Sequence, residues 1–321
     1  MTAIGGFFEL ELPGGGAPYH EYAFPMASGR ACLRRILECL RPRRLWTPFY
    51  VCDAVLPAIQ RAGSTVQFYA IDDALDPVLP QGVPAADDVV MYVNYFGIKG
   101  ATAARLAGSL GRRAIVDDTQ AFFQKGYAGS FSFNSARKFF GVPDGGFAYG
   151  DGLEDAPVRQ PQDVRCDHLV NRLLGRQQAF EQYRQSEACV SDAPVAMSSV
   201  SARLLANVDC ASALAARRRN FGRLHELIGG RNRLAVSVDA ASAGPFCYPF
   251  LAETPIPWDR VWSREIFAPR LWPELDGRRD RDWFAWECEL GARVLPLPVD
   301  HRYGIADMDR VAGVVAEVLG W

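Results

Sequence analysis

Lysine is nearly absent from this chain. Of 35 basic residues only Lys99, Lys125 and Lys138 are lysines, and the rest are arginines. A guanidinium stays protonated and cannot serve as a nucleophilic amine, so side-chain amine chemistry is confined to three positions. Histidine is also scarce, with four residues (His20, His168, His225, His301) and no H-E-x-x-H, so no metal site is expected. The eight cysteines form no C-x-x-C pair. That argues against a zinc ribbon or a redox pair and leaves thiols of a reducing compartment. No apolar run approaches the roughly 20 residues that span a bilayer. Met1 to Leu12 carries Glu9 and Glu11 and lacks a basic start and an apolar stretch, so a secretory leader is not expected and the expected location is cytoplasmic. The net charge of −2 suggests neither a nucleic-acid footprint nor a membrane anchor. There is no G-x-x-x-x-G-K-[ST] loop and no strand-linked G-x-G-x-x-G, which removes the two commonest nucleotide fingerprints.

What is present is an ordinary globular composition, 49% hydrophobic and 22% charged over 321 residues, enough for about two domains. Residues 1–27 are rich in glycine and proline and read as an irregular arm. Ser28 then has the character of an N-cap, followed by Ala31, Leu33, Ile36, Leu37 and Leu40 at helical spacing, with Pro42 as a stop. Strands are expected over Leu45–Val51, Thr65–Ile71, Val89–Val93 and Ala114–Val116, with helices from Asp53 to Gly63 and from Ala101 to Leu110 between them. Their continuous apolar runs indicate a mostly parallel sheet sandwiched by helices. Gly129 to Gly150 reads as short aromatic strands around a G-V-P-D-G-G turn, and residues 165–228 are helix-prone. Strand signals at Phe246–Leu251 and Arg293–Leu297 and a helix at Ile305–Leu319 give a smaller C-terminal α+β unit. The expected division is 28–229 and 230–321.

In open α/β sheets ligands bind beyond the carboxyl ends of the strands, which directs attention to Asn94, Asp117 and the segment from Ser132 to Lys138. Lys138 lies among aromatics and a glycine-rich turn, with Ser132 and Ser135 before it. A partly desolvated amine favours its neutral form and can form a Schiff base, and the serine hydroxyls suit a phosphate. Asp117, at the end of a buried strand, can pair with a pyridinium nitrogen or simply cap the next turn. Ala27-Ser28-Gly29-Arg30 begins a helix, where free N–H groups and the dipole favour an anion, although a plain N-cap serine reads the same way.

Taken together, Ser28-Gly29-Arg30, Pro48-Phe49-Tyr50, Val116-Asp117-Asp118-Thr119-Gln120, Ser132-Phe133-…-Lys138 and Asp144-Gly145-Gly146 resemble the DegT/DnrJ/EryC1/StrS aminotransferases. These are fold-type-I enzymes that use pyridoxal 5′-phosphate. The resemblance covers roughly residues 20–150. It implies that Lys138 carries the cofactor, Asp117 faces its ring nitrogen and Gln120 lies near the ring. Ser28, Gly29 and Arg30, helped by Ser132 or Ser135, would face the phosphate, and Tyr50, or Phe49 beside it, would stack on the ring. It further implies a homodimer with the site near the interface and no nucleic-acid or membrane partner. The activity implied is transfer of an amino group from an amino acid to a keto-sugar in amino-sugar or polysaccharide biosynthesis. The chain departs from the family pattern in one extra residue between serine and lysine, in Val93-Asn94-Tyr95-Phe96-Gly97 where a histidine is common, and in Val142-Pro143-Asp144-Gly145-Gly146 after the lysine.

Two other functions stay open: a sugar lyase or dehydratase using the same cofactor, and a non-catalytic member that binds sugar or cofactor. Lys138 speaks against the family's dehydratase variant, which has histidine there. Arg137, Arg270 and His301 are secondary candidates for phosphate or substrate. Trp283, Phe284 and Trp286 are expected in the core, and Arg217-Arg218-Arg219 on a solvated helix face.

Overall fold

The computed structural model describes residues 6, 8 and 10–321; Glu9 and most of the stretch read for a leader lie outside the described residues. Strand β1 (Phe24–Met26) precedes helix α1 (Gly29–Leu40), β2 (Arg44–Pro48), α2 (Leu56–Arg61), β3 (Thr65–Ile71) and the two-residue β4 (Pro77–Val78). Then come β5 (Asp88–Val93), α3 (Gly100–Leu110), β6 (Ala114–Asp117), β7 (Phe131–Phe133) and β8 (Gly146–Tyr149). These strands form one eight-stranded sheet in the order β1-β8-β7-β6-β5-β2-β3-β4. The five central strands β7, β6, β5, β2 and β3 run parallel, while β8 and β4 are antiparallel to their neighbours. Every residue of β5 and β6 is buried, as a sheet covered on both faces requires.

The helix-prone stretch resolves into α4 (Asp167–Leu173), α5 (Ala179–Ala188), α6 (Ser199–Ala206) and α7 (Cys210–Ile228). The C-terminal part holds β9 (Cys247–Leu251), α8 (Trp258–Ser263), α9 (Ala285–Arg293), β10 (Val294–Pro298) and α10 (Ile305–Leu319). There β9 and β10 pair antiparallel in a separate two-stranded sheet, and α10 packs on α7. No helix among the described residues is long and apolar enough to cross a membrane.

Local chemistry explains the element that matters most. Ser28 is extended and its hydroxyl accepts from the Ala31 amide at 3.0 Å, which caps α1. Ala31, Cys32, Leu33, Ile36 and Leu37 are buried along one stripe of the helix. The helix stops one residue before Pro42, at Arg41 in the left-handed region (φ 48°). The Asp144-Gly145-Gly146 turn lets the backbone pass close to this helix start: a Cβ on Gly146 would lie 2.7 Å from the Asn134 carbonyl oxygen and 2.9 Å from the Ser28 carbonyl carbon.

Two expectations are corrected. Trp283 is 84% exposed, on a short 3-10 turn, while Phe284 stacks on Phe49 at 4.2 Å. Arg217 is not on a solvated face: it is buried on the stripe that includes Ala213, Asn220, Phe221 and Leu224.

Candidate active site

The parallel strands bring four loops to one end of the sheet: residues 49–53 after β2, 94–97 after β5, 117–120 at the end of β6 and 134–138 after β7. Lys138 closes a 3-10 turn, Ala136–Lys138, and its side chain is exposed. Its Nζ lies 3.0 Å from Thr119 Oγ1. Asp117 is buried, and its Oδ1 accepts the Thr119 amide at 2.9 Å. Burial pushes the Asp117 carboxyl up, and the nearby positive charge of Lys138 opposes that shift. The sequence reading thus finds its amine and its carboxylate at one place. It passed over Thr119, which binds both. The signal available was only its position two residues beyond Asp117.

Behind this pair lies a second buried carboxylate. Asp118 Oδ1 accepts from Asn94 Nδ2 at 2.9 Å and from the Tyr127 hydroxyl at 3.0 Å. Burial pushes its carboxyl up to about 8, with those two hydrogen bonds opposing. Asn94 Oδ1 in turn accepts the Lys99 amide at 2.9 Å. Gln120 is buried and its Oε1 accepts the Phe96 amide at 2.5 Å. Gln120 and Asn94 therefore hold the tight turn after β5, where Phe96 and Gly97 both have positive φ. A Cβ at Gly97 would lie 2.3 Å from the Gln120 carbonyl oxygen.

The start of α1 faces the same loops. A Cβ on Gly29 would lie 3.2 Å from Thr119 Cγ2 and 3.3 Å from the Asn134 carbonyl oxygen, so Thr119 packs directly on the helix entrance. The hydroxyl of Ser28 donates to the Ser191 carbonyl at 3.0 Å, and Arg30 Nη1 donates to the Val190 carbonyl at 2.8 Å. The segment that follows α5 thus crosses the helix start and engages both side chains. Ser132 Oγ is buried with no hydrogen-bond partner among the described residues. Ser135 stands at the N-cap of the Lys138 turn without a side-chain cap bond.

Tyr50 is fully buried. Its ring meets Trp272 edge-on at 4.4 Å and Tyr95 at 5.6 Å, so it presents no free face to the cleft. Phe49 is equally enclosed, between Phe284 and the Arg278 guanidinium. Arg278 also bonds to Asp53 and to the Phe49 and Val51 carbonyls, so the C-terminal part ties down the loop after β2. Arg137 turns away from Lys138 to pair with Glu187 at 2.7 Å. Arg270 pairs with Asp276 at 2.8 Å. The His301 ring lies 5.5 Å from Phe140, two residues beyond Lys138.

The sequence matches no family model and no curated protein. Solved structures do match. A DegT DnrJ EryC1 StrS aminotransferase from Brucella abortus is 16% identical over 93% of this chain and 86% of its own, with a TM-score of 0.64. The sugar aminotransferase CalS13 from Micromonospora echinospora is 16% identical over 94% of this chain and 88% of its own, TM-score 0.60. NtdA from Bacillus subtilis, solved with bound cofactor PMP, is 14% identical over 94% and 74%, TM-score 0.60. The chain has the fold of these aminotransferases.

Structures of this fold have been solved with pyridoxal phosphate or PMP, and the residues here have the donor set such a group needs. An amine and a buried carboxylate share one neighbour, Thr119. The first amides of α1 have no partners within the helix, and the hydroxyl of Ser132, on the strand against which α1 packs, is unpartnered. A phosphate at the amides and Ser132 would satisfy groups that otherwise lack a partner. The ring-stacking position is not met by its expected residue, since Tyr50 is enclosed, and the side chains of Ser28 and Arg30 are engaged by residues 190–191.

Proposed function

We propose that the protein is a pyridoxal-phosphate-dependent aminotransferase that moves an amino group from an amino acid to a keto-sugar. The observation that carries this is Lys138 Nζ held at Thr119, beside the buried Asp117, in an aminotransferase fold. Pyridoxal phosphate, when bound, supplies an electron sink for a carbanion next to nitrogen. Lys138 would hold it and, once released, would carry a proton to and from the substrate carbon at Nζ. Asp117 would keep the ring nitrogen protonated. The amides of Gly29 and Arg30, with Ser28 and Ser132 or Ser135, would bind the phosphate. Gln120 would act through the turn it holds.

The same reading includes a cytoplasmic homodimer active in amino-sugar or polysaccharide biosynthesis. Support for a second copy comes from exposed apolar side chains: Leu173 at 85% and Phe180 at 70% exposure on α4 and α5. Sedimentation velocity of the purified protein tests it, and a monomer at micromolar concentration counts against it.

One observation favours a second reading, a cofactor-fold protein without turnover. The side chains of Ser28 and Arg30 are already engaged by the segment at 190–191, where a phosphate would need them. A single experiment separates the two. Protein incubated with pyridoxal phosphate is expected to gain a visible absorbance band that borohydride reduction fixes on Lys138. The band should shift on adding glutamate, and Lys138→Ala should lack it. A protein that stays colourless supports the second reading and refutes the first.

A further inference from the structure

A wide cavity lies at the other end of the sheet from Lys138. It has a volume of about 870 Å³. Its walls come from residues 41–43 ahead of β2, residues 61–63 ahead of β3, and Gly152, Asp155 and Ala156 after the antiparallel β8. All of these sit at the amino ends of the parallel strands. Helix α1 runs the distance between the two ends, its 12 residues making about 18 Å.

The walls are dominated by arginine. Arg34 pairs with Glu38 at 2.8 Å, and Arg61 pairs with Asp192. The other three guanidiniums, Arg35, Arg41 and Arg43, have no carboxylate partner among the described residues. Arg35 is only 5% exposed. It donates to the carbonyls of Leu153 at 2.6 Å and Ala156 at 2.8 Å, which satisfies hydrogens and leaves the charge uncompensated. Arg41 donates only to the Glu38 carbonyl, at 3.3 Å. Against these three stand Asp155 and the partial negative charge, about half a unit, at the carboxyl end of α1. The cavity therefore carries excess positive charge.

We propose that this basin binds a phosphate-bearing anion, of the size of a di- or polyphosphate group. Guanidinium forks match phosphate oxygens in bidentate geometry. The exposed forks of Arg41 and Arg43 have no carboxylate partner among the described residues, and buried Arg35, its hydrogens already held by carbonyls, adds charge. The site is separate from the start of α1, where the cofactor phosphate would lie.

The test is calorimetric titration of the full chain with inorganic pyrophosphate, beside sedimentation with vesicles containing phosphatidic acid. The comparison variant is R41N/R43Q. Asparagine tolerates the left-handed backbone of position 41, and both side chains are exposed, so the fold should hold; circular dichroism checks it. Wild type is expected to bind pyrophosphate or the vesicles, and the variant to bind at least about tenfold more weakly. Weakened pyrophosphate binding identifies a soluble ligand, and weakened vesicle binding alone identifies a lipid headgroup. No binding in either arm, or equal binding by the folded variant, overturns the proposal.

Discussion

Thr119 holds Lys138 by its side chain, with Oγ1 at 3.0 Å from Nζ, and holds Asp117 by its backbone, with its amide at 2.9 Å from Oδ1. One residue thus fixes the spacing between the amine and the carboxylate. Thr119→Val keeps the shape, including the methyl that packs on Gly29, and removes only the oxygen. The expected result is a fall in kcat of about tenfold, the worth of one hydrogen bond, with KM for the amino donor little changed. Thr119→Ser should restore kcat. Equal activity of wild type and Thr119→Val would show that the contact does not position Lys138.

Asp118 makes a prediction about pH. Its carboxyl titrates near 8 in the folded chain because it is buried, against about 3.9 when unfolded. The folded state therefore holds a proton that the unfolded state releases. Stability is full below about pH 4 and declines as pH rises to about 8, because the unfolded state binds fewer protons over that window. Asp118→Asn keeps an acceptor for Asn94 and Tyr127 and cannot ionise. It should flatten the pH dependence and gain on the order of a few kcal/mol over wild type at pH 9. Urea denaturation at pH 5, 7 and 9 measures this. A variant that still loses stability in parallel with wild type would place the titration elsewhere.

Arg217 is a buried cation without an ion pair among the described residues. Its guanidinium lies 4.4 Å from the Phe139 ring and donates to the carbonyls of Pro245 at 3.0 Å and Phe246 at 3.3 Å. Burial lowers its pKa to about 10, so it stays charged at neutral pH. Arg217→Ala would leave two carbonyls unpaired and open a cavity beneath the Lys138 loop. A loss of roughly 2–4 kcal/mol is expected, with a smaller loss for Arg217→Met, which fills the space. Thermal denaturation of both variants ranks them, and the reverse order would mean that packing is not what Arg217 provides.

How far the sequence could be read follows from where each signal lies. Thr65–Ile71 and Ile305–Leu319 appear with the expected bounds, because apolar period and flanking glycines are local. Ser28 and Asp117 stand where a helix start and a strand end give a polar residue a fixed place, while Lys138 stands out by the scarcity of lysine beside a glycine-rich turn. Tyr50 was not, since its enclosure depends on Trp272, far along the chain. Arg217 was hidden in a run of three arginines, although its helical phase with Ala213, Phe221 and Leu224 marks the buried stripe. Thr119 was missed because its role exists only once the loops after β6 and β7 meet.

Gly146 joins these loops to α1. A Cβ there would lie 2.7 Å from the Asn134 carbonyl oxygen, 2.9 Å from the Ser28 carbonyl carbon and 3.0 Å from the Gly29 nitrogen. All three are backbone atoms, so the neighbours cannot rotate away. Gly146→Ala must push the helix start from the Lys138 loop by several tenths of an ångström. Overpacking of this kind costs about 1–3 kcal/mol. The same displacement separates the phosphate end of the proposed site from its amine end. Cofactor affinity should therefore fall more than global stability does. Absorbance titration with pyridoxal phosphate beside thermal melting distinguishes the two. By contrast, Gly222→Ala, inside α7 with its Cβ meeting nothing within 4 Å, should leave cofactor affinity unchanged and raise stability by up to about 1 kcal/mol. If Gly146→Ala melts lower yet binds cofactor as wild type does, the helix start and the Lys138 loop do not form one site.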